Sequence, residues 1–175
     1  MSSASLNCRL NLREITTTGQ NVEYNTRINQ LIMRIRSPRS TAMISGRGHL
    51  SCTGAHSLDD AHAAARRFAR IVQKLGFPVT FSKYKVHNVL SVSQTFPVRL
   101  DGLHEELRGC SSYEPELFPG LYFHCEKVRI CVFHNGKMNF TGSSDLTADT
   151  RVFQRLYRLC ARPGVTTKYK HRFYY

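Results

Sequence analysis

One phrase occurs twice in this chain, and it limits the possible folds more than any other feature. Gly-Arg-Gly-His-Leu-Ser-Cys-Thr-Gly runs from Gly46 to Gly54, and His-Asn-Gly-Lys-Met-Asn-Phe-Thr-Gly runs from His134 to Gly142. Gly48, Thr53 and Gly54 recur as Gly136, Thr141 and Gly142 at one constant offset. That offset is far longer than the roughly 20–50 residue period of solenoids and propellers. In a chain of 175 residues it implies two half-domains, related by a pseudo-twofold axis. An object of that kind presents one continuous surface built from two similar halves, suited to something long and itself twofold.

The elements around each copy repeat as well. Ala61, Ala64, Ala65, Phe68, Ile71, Val72 and Leu75 recur at helical spacing, which predicts a helix over 58–75 with one apolar stripe. Ser57 suits its N-cap, Asp59 and Asp60 its positive end, and Gly76 its C-terminal stop. A second helix is predicted from Leu146 to Cys160, with Val152, Phe153, Leu156, Leu159 and Cys160 inward, Ser144 as its cap and Pro163-Gly164 as its stop. The outer faces of the two helices are basic: His62, Arg66, Arg67, Arg70 and Lys74 on the first, Arg151, Arg155 and Arg158 on the second.

Short alternating strands precede each helix. Val128, Ile130 and Val132 alternate with Arg129, Cys131 and Phe133, and Asn135-Gly136 has the composition of a two-residue hairpin turn. Pro38 marks the hairpin ahead of Thr41–Ser45. Each half therefore reads as strand, short helix, several antiparallel strands and a long helix. With helices on one sheet face, the other would carry Met43, Ser45, Ser51, Thr53, Cys131, Phe133, Asn139 and Thr141, a candidate contact surface.

Charge narrows the class of partner. The formal net charge is +13 and the sequence pI about 9.9, which points to phosphate-bearing partners. No apolar run reaches membrane-spanning length and no signal-like run follows Met1, so a soluble, unsecreted protein is expected. Cys8, Cys52, Cys110, Cys125, Cys131 and Cys160 have no zinc-site spacing and are expected to be buried free thiols, with no metal and no cofactor. The chain has no P-loop, no G-x-S-x-G and no H-E-x-x-H, and the carboxylates of Glu114 and Glu116 flank a proline without an acid/base partner pattern. A binding protein is expected rather than an enzyme.

Four longer segments carry a resemblance. They are Glu23-Tyr24-Asn25 with Ile32-Met33-Arg34-Ile35-Arg36, Ala69 to Phe77, Phe96 to Leu103, and Ser111-Ser112-Tyr113-Glu114-Pro115-Glu116-Leu117-Phe118-Pro119-Gly120-Leu121. Colinear and spread from about Asn7 to Leu159, they resemble the TATA-box-binding protein family. The resemblance implies an α+β saddle: a pseudo-twofold curved antiparallel sheet of two repeats, 1–81 and 82–165, with helices on the convex face and a basic aromatic tail at 166–175. The family is itself the standard example of minor-groove binding by apolar wedges that kink the duplex.

Carried across residue by residue, the resemblance implies Phe118 and Phe133 as intercalating wedges, with Ile28 a weak wedge and Ser45 none. It implies minor-groove contacts at Asn88, Leu90, Met43, Ser45, Ser51, Thr53, Cys131, Asn139 and Thr141. Phosphate contacts would come from Arg34, Arg39, His49 and Lys137, with His49 and His56 standing where the family has lysine. The hairpin between His124 and Ile130 is about two residues shorter than the family's. Glu114, Glu116 and Leu117 match the stirrup that docks transcription factor IIB, while Arg66, Arg67, Arg70 and Lys74 match a regulator-binding helix. The implied partners are double-stranded promoter DNA, IIB-like and IIA-like factors and associated factors of other polymerase systems, in the nucleus and off the membrane. The alternative expectation is a related factor that keeps the partner surface but has little TATA selectivity.

Overall fold

The structure is a computed structural model of the chain, describing residues 1–125, 127–144 and 146–165. The chain divides into two compact units, Met1–His87 and Asn88–Tyr175. The tail expected at 166–175 lies outside the described residues.

In the first unit, strand β1 (Ser2–Ser5) leads to helix α1 (Leu12–Thr18), a meander of β2 (Val22–Asn25), β3 (Gln30–Arg36), β4 (Arg39–Ser45) and β5 (His49–Thr53), helix α2 (Leu58–Lys74) and strand β6 (Ser82–Val86). The sheet order is β2-β3-β4-β5-β1-β6, and each pairing is antiparallel. The second unit repeats the plan: β7 (Ser91–Gln94), α3 (Leu100–Glu106), β8 (Ser111–Ser112), β9 (Gly120–Cys125), β10 (Val128–Phe133), β11 (Lys137–Thr141) and α4 (Leu146–Cys160). Its order, β7-β11-β10-β9-β8, is that of β1 with the first meander. The strands thus form a six-stranded and a five-stranded sheet. At the start of the second unit the Asn88 side-chain carbonyl accepts from Gly142 N and Val89 N donates to Ser143 O. Ser82–Val86 pairs with β1 in the six-stranded sheet.

Period-2 alternation sorts each strand into two faces. In the first unit Leu31, Met33, Ala42, Ile44, Leu50 and Cys52 point to α2 and pack with Ala64, Ala65, Phe68 and Val72. In the second, Leu121, Phe123, Ile130, Val132, Met138 and Phe140 pack with Val152, Leu156 and Cys160. Helix α2 starts where Ser57 Oγ accepts from Asp60 N at 3.0 Å and stops before Gly76, at φ +95°. Helix α4 starts at Leu146, but the residue before it lies outside the described set, so the expected cap at Ser144 has no geometry to report.

Two expectations are corrected. Asn135-Gly136 does not form a two-residue hairpin turn, because Asn135 is not in the left-handed region and Gly136 alone has φ +82°. Gly136 N donates to Phe133 O at 2.9 Å, closing a turn one residue longer with glycine at its left-handed exit. Gly48, at φ +78°, closes the first copy in the same way on Ser45 O. The strictness of these glycines comes from the neighbouring chain: a Cβ on Gly48 would stand 2.5 Å from Cys8 O, and one on Gly136 would strike Phe96 O. The second correction concerns the thiols. All six are free, but only Cys52 and Cys160 are buried; Cys110 is exposed, because it leaves the turn after α3 rather than a core face.

Candidate nucleic-acid interface

The face opposite the helices can be read off the strand registers. In the second unit the cross-strand partners Arg129–Thr141, Cys131–Asn139, Arg129–His124, Cys131–Tyr122 and Phe133–Gly120 share it, joined by Val92 opposite Asn139. In the first unit the same face holds Ile32–Met43, Arg34–Thr41, Arg36–Arg39, Thr41–Thr53, Met43–Ser51 and Ser5–His49. Met43, Ser45, Ser51, Thr53, Cys131, Phe133, Asn139 and Thr141 are all half-buried: each is flanked by neighbours on its own face and none lies under a helix.

The second unit's face is built around aromatic rings. Phe118 stacks on Tyr122 with centroids 5.1 Å apart and planes 23° from parallel, and meets Phe133 at 5.9 Å and 60°. Gly120 makes room for this: a Cβ there would come within 2.6 Å of Phe118 Cε1 and 2.8 Å of Cys131 Sγ. The rings and their neighbours Leu90, His124, Arg129, Asn139 and Thr141 line a depression of about 430 Å³. Leu90 is 61% exposed and the Cys131 thiol is pushed up by burial, so it is a neutral surface group. Asn88 braces the same end, its side-chain carbonyl accepting from Gly142 N at 2.9 Å.

The first unit has no equivalent cluster. Ile28, 52% exposed, sits in the turn after β2, where the Asn25 side chain accepts from the N–H groups of Arg27 and Ile28. Ser45 turns its hydroxyl to His49 N at 3.2 Å, so it serves the hairpin as well as the face.

Charge on these faces is almost all positive. Arg34, Arg36, Arg39, His49, Arg129 and Lys137 are exposed, and among the described residues Glu23 is the one carboxylate that the registers place among them. Glu23 accepts from Arg34 at 3.4 Å, with both side chains more than half exposed, so the pair contributes little and leaves the arginine available.

Glu114, Glu116 and Leu117 are exposed on the loop between β8 and β9, where Glu114 O accepts from Leu117 N and Phe118 N at 3.0 Å each. Leu117 is 82% exposed, the most exposed of the large hydrophobics among the described residues. Arg66, Arg67, Arg70 and Lys74 are exposed on α2; Arg67 donates to Ser37 O, and the three arginines with Val79 and Phe81 line a groove of about 480 Å³. Among the described residues no His/Cys/Asp/Glu cluster is placed to hold a metal ion, and no helix is long and apolar enough to cross a membrane.

Several residues of these faces are absent from the sequence reading as contacts: Tyr122, His124, Val92 and Arg129 in the second unit, and Ser5, Ile32, Arg36 and Thr41 in the first. Tyr122 and His124 alternate with Leu121 and Phe123, so the period-2 pattern of Gly120–Cys125 was the available signal.

Two repeats, each with an antiparallel sheet, helices on one face and an uncovered face that carries positive charge in both and aromatic rings in the second, make an α+β fold, and the family match makes the chain a non-enzymatic, DNA-binding transcription factor. The profile of the family "Transcription factor TFIID (or TATA-binding protein, TBP)" matches residues 1–75 and 83–162, and the chain belongs to that family. It is 43% identical over 161 residues to the TATA-box-binding protein of Acetabularia peniculus, covering 90% of this chain and 84% of that one. It is 44% identical to TATA-box-binding protein 1 of Triticum aestivum, covering 90% and 69%. To the TATA box-binding protein-like 2 of Rattus norvegicus it is 46% identical, covering 90% of this chain but only 47% of that longer one. Methanococcus jannaschii TBP has the same fold, with a TM-score of 0.79 at 24% identity over 90% of this chain and 93% of that one.

Proposed function

We propose that this protein is a general initiation factor that grips promoter DNA in the minor groove with its uncovered sheet faces, bends it at one end more than the other, and recruits IIB-like and IIA-like factors in the nucleus. The observation that carries this reading is the inequality of the two faces. Phe118 and Phe133 offer two adjoining rings in the second unit, where Ile28 and Ser45 stand in the first.

An apolar wedge inserted at a base step lowers the cost of a kink by burying its surface between unstacked bases. Two rings at one end and one aliphatic side chain at the other concentrate that stabilisation on one side. Asn88, Leu90, Met43, Ser51, Thr53, Cys131, Asn139 and Thr141 would meet the groove floor, whose acceptors distinguish A·T from G·C but little more. Arg34, Arg39, His49 and Lys137 would meet phosphates. Glu114, Glu116 and Leu117 form the exposed surface for a IIB-like factor, and the basic side of α2 fits acidic regulators.

The alternative, a factor with little TATA selectivity, is favoured by the polar side chains Ser45, Ser51 and Asn139 and by Arg129 on the same faces.

Fluorescence resonance energy transfer across end-labelled TATA and scrambled duplexes, with unbiased selection of bound sequences, tests both readings. A kink displaced toward one end with A·T enrichment supports the main reading, and binding without sequence preference but with a steep salt dependence supports the alternative. A symmetric two-end kink with full TATA selectivity refutes the asymmetry.

A further inference from the structure

We propose that the uncovered face of the second unit also binds unpaired nucleotides, with the stacked rings of Phe118 and Tyr122 as a platform for a base and Arg129 and His124 as the cationic flank for its phosphate. This goes beyond duplex binding and does not depend on it.

The argument starts from Tyr122. A wedge residue needs to project at a kink, and Phe118 and Phe133 suffice for that. Tyr122 lies instead within the strand, opposite Cys131 on one side and Ser112 on the other, 44% exposed, with its ring nearly parallel to that of Phe118. Stacked on Phe118, the exposed Tyr122 ring is held in place on an open sheet, with a π face outside the stack for a base. The edges of a stacked base pair in a duplex groove offer such a surface no base plane to lie on, whereas an unpaired base does. Sequence-tolerant single-strand binding is built from that combination, aromatic platforms beside positive charge that follows the backbone.

The neighbours complete the chemistry. Arg129 and His124 are cross-strand partners one alternation away from the Tyr122–Cys131 pair, and both are exposed. Asn139 and Thr141 bring amide and hydroxyl groups to the same depression, which at about 430 Å³ falls within the range of small-ligand sites. Among the described residues no carboxylate lines it. The equivalent register in the first unit holds Ile32 opposite Met43 and Arg34 opposite Thr41, with no ring. The platform is therefore a property of one repeat and not of the shared fold.

The probes are short single-stranded DNA and RNA oligonucleotides of the same sequence, each carrying one 2-aminopurine, whose fluorescence falls when it stacks. The wild-type protein should bind with quenching. Tyr122→Phe, which keeps the ring, should behave as wild type, and Tyr122→Leu, which keeps only an apolar surface, should lose on the order of tenfold to a hundredfold in affinity together with the quenching. Arg129→Gln should flatten the plot of log affinity against log salt by about 0.7 for the one lost phosphate contact. A preference for DNA or for RNA supports the proposal and identifies the source of the ligand. Absence of quenching with both probes overturns it, as does equal binding by Tyr122→Leu and Tyr122→Phe. A bend assay on duplex DNA with the same preparations separates the two functions: its failure alongside intact single-strand binding counts against the duplex reading alone.

Discussion

Gly120→Ala removes a wedge from its seat without removing the wedge. Gly120 does not have a left-handed backbone, so alanine meets no conformational penalty there. Its Cβ would nevertheless stand 2.6 Å from Phe118 Cε1 and 2.8 Å from Cys131 Sγ. Both are side-chain atoms on a half-exposed face, so they can move, and the cost falls at the low end of the roughly 1–3 kcal/mol of overpacking. Phe118 then leaves its stack with Tyr122, itself worth about 0.5–1.5 kcal/mol. A loss of about 1–2 kcal/mol results, and about 1 kcal/mol lowers the melting temperature of a unit this size by roughly 4–8 °C. The effect on DNA is larger. A fully buried phenylalanine is worth about 1.5–3 kcal/mol, so a misplaced wedge should weaken duplex binding about ten- to a hundredfold and reduce the bend at its end.

The matched control is Gly109→Ala. Gly109 has φ +82° with nothing within 4 Å of the added Cβ, so it costs about 1–2 kcal/mol of backbone strain away from the face. Differential scanning fluorimetry and an energy-transfer bend assay on both variants decide the matter. Equal melting losses with a binding defect in Gly120→Ala alone is the expected result. Wild-type bending by Gly120→Ala would refute the seat.

Four further outcomes are expected. Glu114→Arg should abolish a ternary complex with a IIB-like factor in a mobility-shift assay while leaving binary DNA affinity within about threefold, since Glu114 is exposed on the loop before the face. Gly136→Ala should destabilise the second unit by several kcal/mol in urea titration, because the new Cβ strikes Phe96 O and stands 2.7 Å from Thr95 O. Gly76→Ala, at φ +95° with open space around it, should by contrast cost only about 1–2 kcal/mol. Finally, burial raises the Cys160 thiol from 9.0 to about 11. Its contribution is complete below pH 9, where the thiol is protonated folded or unfolded, and is lost as pH rises toward 11, because only the unfolded state ionises readily. Urea titrations across that window should lose about 2–3 kcal/mol in wild type and less in Cys160→Ala.

The frame was legible because it rests on periodicity. The stripe from Ala64 to Val72 and the alternation of Ile130 and Val132 with Cys131 and Phe133 are local patterns, and local patterns decide which face is buried. The face opposite the helices followed from the same alternation. Tyr122 was harder to see, since its role comes from a ring that arrives from the preceding loop and from the space left by Gly120, neither of which shows in strand alternation. Ser2–Ser5 has none of the β-branched or aromatic side chains that mark a strand; it is extended because β5 and β6 hold it on both sides. The Asn135-Gly136 turn went to a longer form because the hairpin must place Gly136 against Phe96, a constraint from outside the hairpin.

That interior position of Ser2–Ser5 sets an order of events during synthesis. The β2–β5 meander joins neighbours in sequence and can form as soon as it is made, at a small loop-closure cost. Strand β1 must wait for β5, and its other edge stays open until Ser82–Val86 exists. Ser2, Ser3 and Ala4, buried in the finished unit, thus precede both of their partner strands in the chain and are among the last to settle. A nascent chain halted before Val86 would present β1 with one bare edge, available to any strand that meets it.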